Sequence, residues 1–213
     1  MSTARVLIAD DHPVVRAGLM QLLGEDAAIG ETGTAASGQE TLDRLREAHW
    51  DLLILDIGMP DRSGLDILRH VRSGFPDTRV LILSGFPERQ YAINMLRAGA
   101  HGFLGKESAA EQLLNAVHAV LAGRRYISPT MSELLLSEID GAGGDKPIHQ
   151  QLSEREFQIF CKLASGSSVS AIARELCLSV KTVSTYRSRV LEKMNFQTNA
   201  DITTYALRND LIR

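Results

Sequence analysis

This sequence has few cysteines, few aromatic residues and no long hydrophobic run. Its two cysteines, Cys161 and Cys177, lie in apolar helical patterns without Cys-x-x-Cys spacing. We therefore expect buried thiols, and neither a disulfide nor a thiolate metal site. No apolar stretch approaches the roughly 20 residues that span a bilayer, and residues 1–5 show no signal-peptide pattern. We expect a cytoplasmic protein without a membrane partner. With 44% hydrophobic and 23% charged residues, the chain can form compact cores.

The histidines also lack a metal-binding arrangement. None of the six stands four residues from another, which is a common spacing for two ligands on one helix. We expect them to be surface or core polar groups. His12 is placed near a candidate site, because it directly follows two aspartates.

Charge is distributed unevenly along the chain. Residues 1–124 contain 12 Lys and Arg against 16 Asp and Glu, residues 125–149 contain 2 against 4, and residues 150–213 contain 9 against 6. The first region is therefore acidic and the last is basic. Together with the sequence G-A-G-G at 141–144, this asymmetry predicts two domains, 1–124 and 150–213. A linker, 125–149, would join them and would include a short helix over 131–139.

Five short hydrophobic runs alternate with amphipathic segments in the first region. Leu52–Leu55 is aliphatic throughout, which is typical of a strand that is buried on both faces of a parallel sheet. Strict alternation with short connections predicts an α/β fold with a five-stranded, parallel, doubly wound, flavodoxin-like sheet. The predicted strands are Arg5–Ala9, Ile29–Ala35, Asp51–Asp56, Arg79–Leu83 and His101–Gly105.

Polar residues stand at the carboxyl ends of four of these strands. They are Asp10 and Asp11, Asp56, Ser84, and Lys106. Because the carboxyl ends of parallel strands share one edge, where open α/β sheets bind ligands, we expect these side chains to lie together. Crowded carboxylates repel one another, and Mg²⁺, which prefers carboxylate and carbonyl oxygens, relieves that repulsion.

Asp56 is the candidate nucleophile of this edge. Its carboxylate could attack a phosphoryl group and form an acyl phosphate, while Mg²⁺ and the Lys106 ammonium neutralise charge on the transferring oxygens. The Ser84 hydroxyl could donate a hydrogen bond to the phosphate. Taken singly, such residues more often cap helices or form surface ion pairs. Their shared position at strand ends favours the phosphoryl-transfer interpretation.

Four motifs carry a family resemblance: the Asp10-Asp11 pair, Asp56 in L-D-I-G-M-P-D-R-S-G, Ser84 after V-L-I-L, and Lys106 in G-F-L-G-K. On these motifs, residues 3–124 resemble the receiver domain of two-component response regulators. The resemblance implies that Asp56 accepts a phosphoryl group from a sensor histidine kinase. It also implies that Asp11, Asp56 and the carbonyl of Gly58 bind Mg²⁺, with Asp10 helping through water.

The same resemblance implies a switch pair, Ser84 and Phe103. Ser84 would move toward the phosphate while the aromatic ring turns inward. Many receiver domains carry Tyr at the position of Phe103 and Pro at that of Glu107, so this chain departs from the family at both places. Neither departure removes a group that the phosphorylation chemistry needs.

Only helical patterns follow in the basic region. Ser153 and Glu156 match a capping box at a helix start, and Gly166 ends that helix. Further helices are predicted over 168–176, 180–194 and 199–209. The tight turn at 177–179 between the second and third helices suggests a helix-turn-helix module.

The third of these helices has two distinct faces at 3.6 residues per turn. Its apolar face should pack inward, and its polar face presents short hydroxyl side chains flanked by cations. In a major groove the cations would contact phosphates and the hydroxyls would face base edges, although an ordinary amphipathic surface helix has the same pattern. The candidate DNA-binding residues are Lys181, Thr182, Ser184, Thr185, Arg187, Ser188, Arg189 and Lys193.

Residues 150–213 resemble the LuxR-type helix-turn-helix of NarL/FixJ-class regulators. The motifs that match are L-S-E-R-E at 152–156, I-A-R-E-L at 172–176 and S-V-K-T-V-S at 179–184. The resemblance implies a dimer contact on the last helix around Ile202, Tyr205, Ala206 and Leu207. Ser184 stands where some relatives have Lys, which puts the base-reading preference in question.

The expected function is a phosphorylation-activated transcription regulator that binds double-stranded promoter DNA as a homodimer. The receiver would promote only its own phosphorylation and dephosphorylation, so the chain is not expected to be an enzyme acting on other substrates. A phosphatase or phosphotransferase is a weaker alternative, because no cap insertion covers the site. A second alternative is a DNA-binding regulator or adaptor that works without phosphorylation.

Overall fold

The computed structural model describes residues 3–59, 61–85, 88–129, 131–133, 147–209 and 211–212. It divides into two compact units, Met1–Ala142 and Gly143–Arg213. The backbone is helical at 131–133, and the rest of the predicted linker helix lies outside the described residues. The domain limits at 124 and 150 remain predictions. Within the described ranges, no helix combines the length and the apolar character needed to cross a bilayer.

A five-stranded sheet forms the centre of the first unit. Its order is β2-β1-β3-β4-β5, and every neighbouring pair is parallel. This arrangement confirms the predicted doubly wound fold, and it brings the carboxyl ends of β1, β3, β4 and β5 next to one another. The strands are β1 (Ala4–Ala9), β2 (Ile29–Ala35), β3 (Leu52–Asp56), β4 (Arg79–Ser84) and β5 (Gly102–Gly105).

Among the described residues, five helices flank this sheet: α1 (Pro13–Gly24), α2 (Gly38–Glu47), α3 (Gly64–Gly74), α4 (Glu88–Arg97) and α5 (Ala109–Leu121). Pro13 begins α1, where its fixed φ suits the first turn and its missing N–H is not needed. Ser37 caps α2 by accepting a hydrogen bond from Glu40 N–H. A 3-10 turn, Lys106–Ser108, joins β5 to α5 and was not predicted.

Strand burial follows from the aliphatic runs in the sequence. Every residue of β3 is buried, including its terminal Asp56. One face of the sheet packs on α1 and α5 through a single apolar cluster, in which Val6, Ile54 and Val117 have no exposed surface or almost none. Burying such a side chain contributes about 1.5–3 kcal/mol, so this cluster holds the strand ends in a fixed position.

The second unit consists of helices after a 3-10 turn, Ile148–Gln151. The helices are α6 (Glu154–Ala164), α7 (Val169–Glu175), α8 (Val180–Met194) and α9 (Asn199–Arg208). The predicted capping box is confirmed, because Ser153 Oγ accepts from Glu156 N–H and the Glu156 carboxylate accepts from Ser153 N–H. Phe157, Phe160 and Val190 form part of a fully buried core.

The cysteine prediction needs correction. Cys161 is only partly buried, although burial still raises the pKa of its thiol to about 12. Cys177 is exposed, because it lies in the turn between α7 and α8 with a left-handed φ of 51°. Its apolar neighbours Leu176 and Leu178 lie in the same turn, but Leu176 is buried and Leu178 is partly buried.

Candidate functional site

The carboxyl edge of the sheet brings Asp10, Asp56 and Lys106 into direct contact. Lys106 Nζ lies 2.6 Å from Asp10 Oδ2 and 2.7 Å from Asp56 Oδ2. The two carboxylates are 1% and 3% exposed, whereas the lysine side chain is 20% exposed. A single ammonium therefore compensates two almost fully buried acids, and the lysine approaches them from the solvent side.

Burial raises the pKa of Asp56 above its ordinary value, and the neighbouring Asp10 charge adds to this effect. Lys106 and the Gly58 N–H act in the opposite direction, since both stabilise the ionised carboxylate. The Gly58 N–H donates to Asp56 Oδ1 over 2.8 Å. Asp56 is consequently a carboxylate whose ionisation depends on cations held beside it.

Lys106 remains a cation at this site despite its partial burial. Burial alone would lower the pKa of its ammonium, but the charges and hydrogen bonds of Asp56 and Asp10 outweigh that effect and raise it. The ammonium can therefore stay in place as charge develops on a transferring phosphoryl oxygen.

Asp11 and His12 complete the acidic cluster. Ligand atoms of Asp10, Asp11, His12 and Asp56 all lie within 4.8 Å of one another. The His12 backbone N–H donates to Asp10 Oδ1 over 2.8 Å, and His12 Nδ1 lies 2.8 Å from Asp11 Oδ1. Three carboxylates at this spacing match the oxygen ligands that Mg²⁺ prefers, so the residues present fit a hard divalent cation.

Ser84 and Phe103 lie on neighbouring strands beside this cluster. Ser84 ends β4 and is 1% exposed, and Phe103 in β5 is fully buried. The register pairs Ile82 with Phe103 and Ser84 with Gly105. Because side chains alternate along a strand, Ser84 and Phe103 point to the same face of the sheet. The ring is directed inward in this structure.

Helix α8 confirms the two faces predicted for it. Val183, Val190 and Met194 are buried on one side. The exposed residues on the other side include Lys181, Ser184, Thr185, Ser188 and Arg189, while Thr182 is partly buried. Several hydroxyls are tied to the helix itself, since Thr185 Oγ1 donates to Lys181 C=O and Ser188 Oγ to Ser184 C=O.

Two of the candidate DNA-contacting cations have partners inside the domain. Lys193 Nζ lies 2.6 Å from Glu156 Oε2, a carboxylate oxygen that also accepts from Ser153 N–H. Arg187 is half-buried, and its Nε donates to Asn199 Oδ1 over 2.7 Å. Sequence periodicity placed Lys193 beside the polar face and Arg187 at the edge of the apolar face, but it could not identify partners on other helices. In this structure Lys193 joins α8 to the start of α6 and is not a free cation.

Two of the four residues in the predicted dimer contact on α9 are buried within their own unit. Ile202 and Ala206 have no exposed surface, because they form part of the core of the second unit. Tyr205 is partly buried, and its hydroxyl lies 2.9 Å from His149 Nδ1. On the same helix Leu207 is 54% exposed. A surface contact through Ile202 and Ala206 would require the helix to leave its own domain.

Comparison with known proteins assigns both halves of the chain. Residues 6–118 match the sequence profile described as "Response regulator receiver domain". Residues 150–206 match the one described as "Bacterial regulatory proteins, luxR family".

Full-length relatives share this organisation. The chain is 35% identical to the response regulator GacA of Pseudomonas protegens over 98% of this chain and 97% of the relative. It is 37% identical to the transcriptional activator protein ExaE of Pseudomonas putida over 98% of each chain. A solved structure of RcsB from Salmonella enterica, bound to promoter rprA in the presence of phosphomimetic BeF₃⁻, superposes with a TM-score of 0.66 at 24% identity. It covers 96% of this chain and 98% of RcsB, and it shows likeness of fold.

Proposed function

Because this chain belongs to the two-component response regulators that join a receiver domain to a LuxR-type DNA-binding domain, we propose that Asp56 is its phospho-acceptor. The phosphodonor is the phosphohistidine of a sensor histidine kinase. An Asp56 carboxylate oxygen attacks phosphorus, the phosphorus–nitrogen bond of the donor breaks, and the leaving imidazole takes up a proton. The product is an acyl phosphate on Asp56.

The contact of Lys106 with both Asp56 and Asp10 is the observation that carries this proposal. It puts a cation 2.7 Å from the attacking carboxylate, at the sheet edge formed by the carboxyl ends of β1, β3, β4 and β5. Lys106 binds a phosphoryl oxygen and keeps its proton while the negative charge moves from the donor to Asp56. Ser84, at the end of β4, donates its hydroxyl hydrogen to another phosphoryl oxygen.

Mg²⁺ is the cofactor that this donor set favours. Asp11, Asp56 and the carbonyl of Gly58 would hold it, with Asp10 acting through water, and the bound ion would supply electrostatic stabilisation of the phosphoryl group. Asp10 is almost fully buried, and its Oδ2 contacts Lys106 Nζ. A cation bound near Asp10 would therefore affect the position of Lys106.

Helix α8 carries the output of this switch. Lys181 and Arg189 contact DNA phosphates, while Ser184, Thr185 and Ser188 face the base edges of the major groove. Thr182 lies at the helix start, where its hydroxyl is 2.7 Å from that of the capping Ser179. Arg187 keeps guanidinium nitrogens available beyond its bond to Asn199, whereas Lys193 acts mainly inside the domain.

Phosphorylation shifts the Ser84–Phe103 pair between two arrangements and favours a homodimer. A dimer places two α8 helices on half-sites about one turn of DNA apart. The receiver catalyses only its own phosphorylation and dephosphorylation. The protein acts in the cytoplasm, where both the kinase domain and the promoter DNA are accessible.

The test is a gel-shift and sedimentation experiment on the full chain with and without BeF₃⁻ and Mg²⁺. We expect the phosphoryl mimic to increase both promoter affinity and the dimer fraction, and Asp56→Asn to abolish both responses. Equal DNA affinity in all samples would support the alternative, a regulator or adaptor that works without phosphorylation.

A further inference from the structure

The loop between β3 and α3 is attached to the first turn of α2. Asp61 Oδ1 accepts from Gly38 N–H and Asp61 Oδ2 accepts from Gln39 N–H, each over 2.8 Å. The neighbouring Arg62 donates from Nη2 to Gln39 Oε1, also over 2.8 Å. We call these three hydrogen bonds the α2 clamp. They join segments that are 22 or 23 positions apart in the chain.

The clamp completes the hydrogen bonding of the α2 start. The first N–H groups of a helix have no partner within the helix. Ser37 Oγ accepts from Glu40 N–H, while Asp61 accepts from the two N–H groups before it. A carboxylate here is also favoured by the positive end of the helix dipole. Asp61 and Ser37 therefore satisfy different donors of the same helix turn, and only Asp61 belongs to the loop.

Close packing reinforces this attachment on both sides. A Cβ atom at Gly38 would lie 2.7 Å from Ile67 Cδ1 and 2.9 Å from Arg62 Cβ, so a larger residue there would displace the loop. A Cβ atom at Gly64, the first residue of α3, would lie 2.5 Å from the Cα of Ile57. The middle of the loop, at Arg62, therefore packs closely against α2. The residue that follows the loop, Gly64, packs closely against Ile57, where the loop begins.

The loop begins at the phospho-acceptor site. Gly58 follows Asp56 by two residues and donates its N–H to Asp56 Oδ1 over 2.8 Å. Any shift of the loop moves the Gly58 peptide and changes the hydrogen bond that orients the carboxylate. Outer contacts of this kind commonly determine how well inner groups bind a metal ion.

We propose that Asp61 is a positioning residue: by fixing the loop to α2, it sets the affinity of the Asp56 site for a divalent cation. The proposal rests on the function given above, because it assumes that the acidic cluster binds such a cation. Asp61 itself acts through Gly58 and Asp56 and has no contact with the transferring phosphoryl group.

The test uses Mn²⁺ as a probe, and its binding to the full chain is followed by the loss of the free-ion electron paramagnetic resonance signal. Asp61→Asn keeps the size of the side chain but offers one acceptor oxygen to two N–H groups. We expect its Mn²⁺ dissociation constant to rise about tenfold. At saturating Mn²⁺ the maximal rate of phosphorylation by acetyl phosphate should stay close to that of the wild type. Gly38→Ala, which displaces the loop by contact, should weaken Mn²⁺ binding in the same way.

Ser37→Ala is the matched control. It removes a cap from the same helix turn without touching the loop, so it should lower the melting temperature and leave Mn²⁺ affinity unchanged. An Asp61→Asn protein that is destabilised like Ser37→Ala but binds Mn²⁺ like the wild type would overturn the positioning role alone. Failure of the wild-type chain to bind Mn²⁺ would overturn both this inference and the proposed cation site.

Discussion

The two units place charged side chains in opposite ways. In the first, Lys106 and two acids are turned toward one another at a sheet edge, and the acids are almost completely buried. In the second, Lys181 and Arg189 are turned outward on one exposed helix face. The first arrangement forms a compact site for chemistry on a small group, since Lys106 and Asp56, 50 positions apart in the chain, are in contact at 2.7 Å. The second gives an extended cationic surface, which suits a polyanion such as DNA.

The largest effect should come from replacing Lys106, the cation that contacts Asp10 and Asp56. Lys106→Met leaves Asp10 and Asp56 buried without their cation, so we expect the free energy of unfolding of the first unit to fall by about 3 kcal/mol. Mg²⁺ should restore part of this loss. The chain has a single tryptophan, Trp50, which is 4% exposed in this unit, so its fluorescence reports the change.

Arg46→Met is the control for that experiment. Arg46 forms an ion pair with Asp43 at 2.6 Å, but both side chains are about half exposed. Such surface pairs contribute about 0–1 kcal/mol. Equal destabilisation by the two substitutions would contradict the view that burial makes the Lys106 cluster different.

The next effect is a difference between two cations of α8, Lys193 and Arg189, in domain stability and in DNA binding. Lys193→Met should lower the stability of the second unit by about 1–2 kcal/mol, because it leaves the buried Glu156 carboxylate with hydrogen bonds to Ser153 but no cation. Arg189→Met should leave stability unchanged and weaken DNA binding. Hydrogen exchange of the α6 amides measures the first effect and fluorescence anisotropy with labelled DNA the second. If Lys193→Met only weakened DNA binding, the view that Lys193 stabilises the second unit through Glu156 would be wrong.

A smaller effect concerns the dependence of DNA binding on salt. Lys181→Ala and Arg189→Ala should each reduce the slope of log K against log salt by about 1, because each cation releases counterions from the DNA. The loss should be similar for promoter and random DNA. If either substitution weakened binding to promoter DNA more than binding to random DNA, that residue would have to be reassigned from phosphate contact to base recognition.

The smallest effect is a pair of pH-dependent stability contributions of opposite sign, from Asp56 in the first unit and Glu156 in the second. Burial opposes ionisation of Glu156, but the bonds from Lys193 and Ser153 prevail and lower its pKa below the ordinary 4.5. Its stabilising contribution is therefore complete above pH 4.5 and is lost as the pH falls through the lowered value. Asp56 has a raised pKa, so its contribution is present below the ordinary 3.8 and is lost as the pH rises.

Acid titration of the full chain in EDTA measures both contributions. Trp50 fluorescence follows the first unit, and hydrogen exchange of α6 follows the second. Glu156→Gln should flatten the slope in the second unit, and Asp56→Asn should flatten the slope in the first. If the two substitutions changed the slopes in the same direction, the pKa directions would be contradicted.

The features that could be predicted from the sequence are those that depend on a repeating pattern of apolar and polar residues. Aliphatic runs alternating with helices determine a parallel sheet, and a parallel sheet necessarily collects Asp10, Asp56 and Lys106 at one edge. The 3.6-residue period likewise separates Val183 and Val190 from Lys181 on α8. These predictions need only local pattern and topology, and the structure confirms them.

The remaining features depend on contacts between distant elements. The bonds of Asp61 to α2 and of Lys193 to Glu156 depend on how helices pack, which no local pattern reveals. The same holds for Ile202 and Ala206, since a hydrophobic helix face looks alike in sequence whether it covers its own core or a partner. The capping acid at Asp61 had one detectable cue, a carboxylate in a Gly- and Pro-rich loop.

The most direct test of the account is to locate the phosphoryl group after incubation of the full chain with acetyl phosphate and Mg²⁺. Borohydride reduction converts an aspartyl phosphate to homoserine, and mass spectrometry of peptides then identifies the modified position. We predict homoserine at position 56, with none when Mg²⁺ is removed by EDTA. Modification of Asp10 or Asp11 with Asp56 unchanged would contradict the assignment of Asp56 as the acceptor.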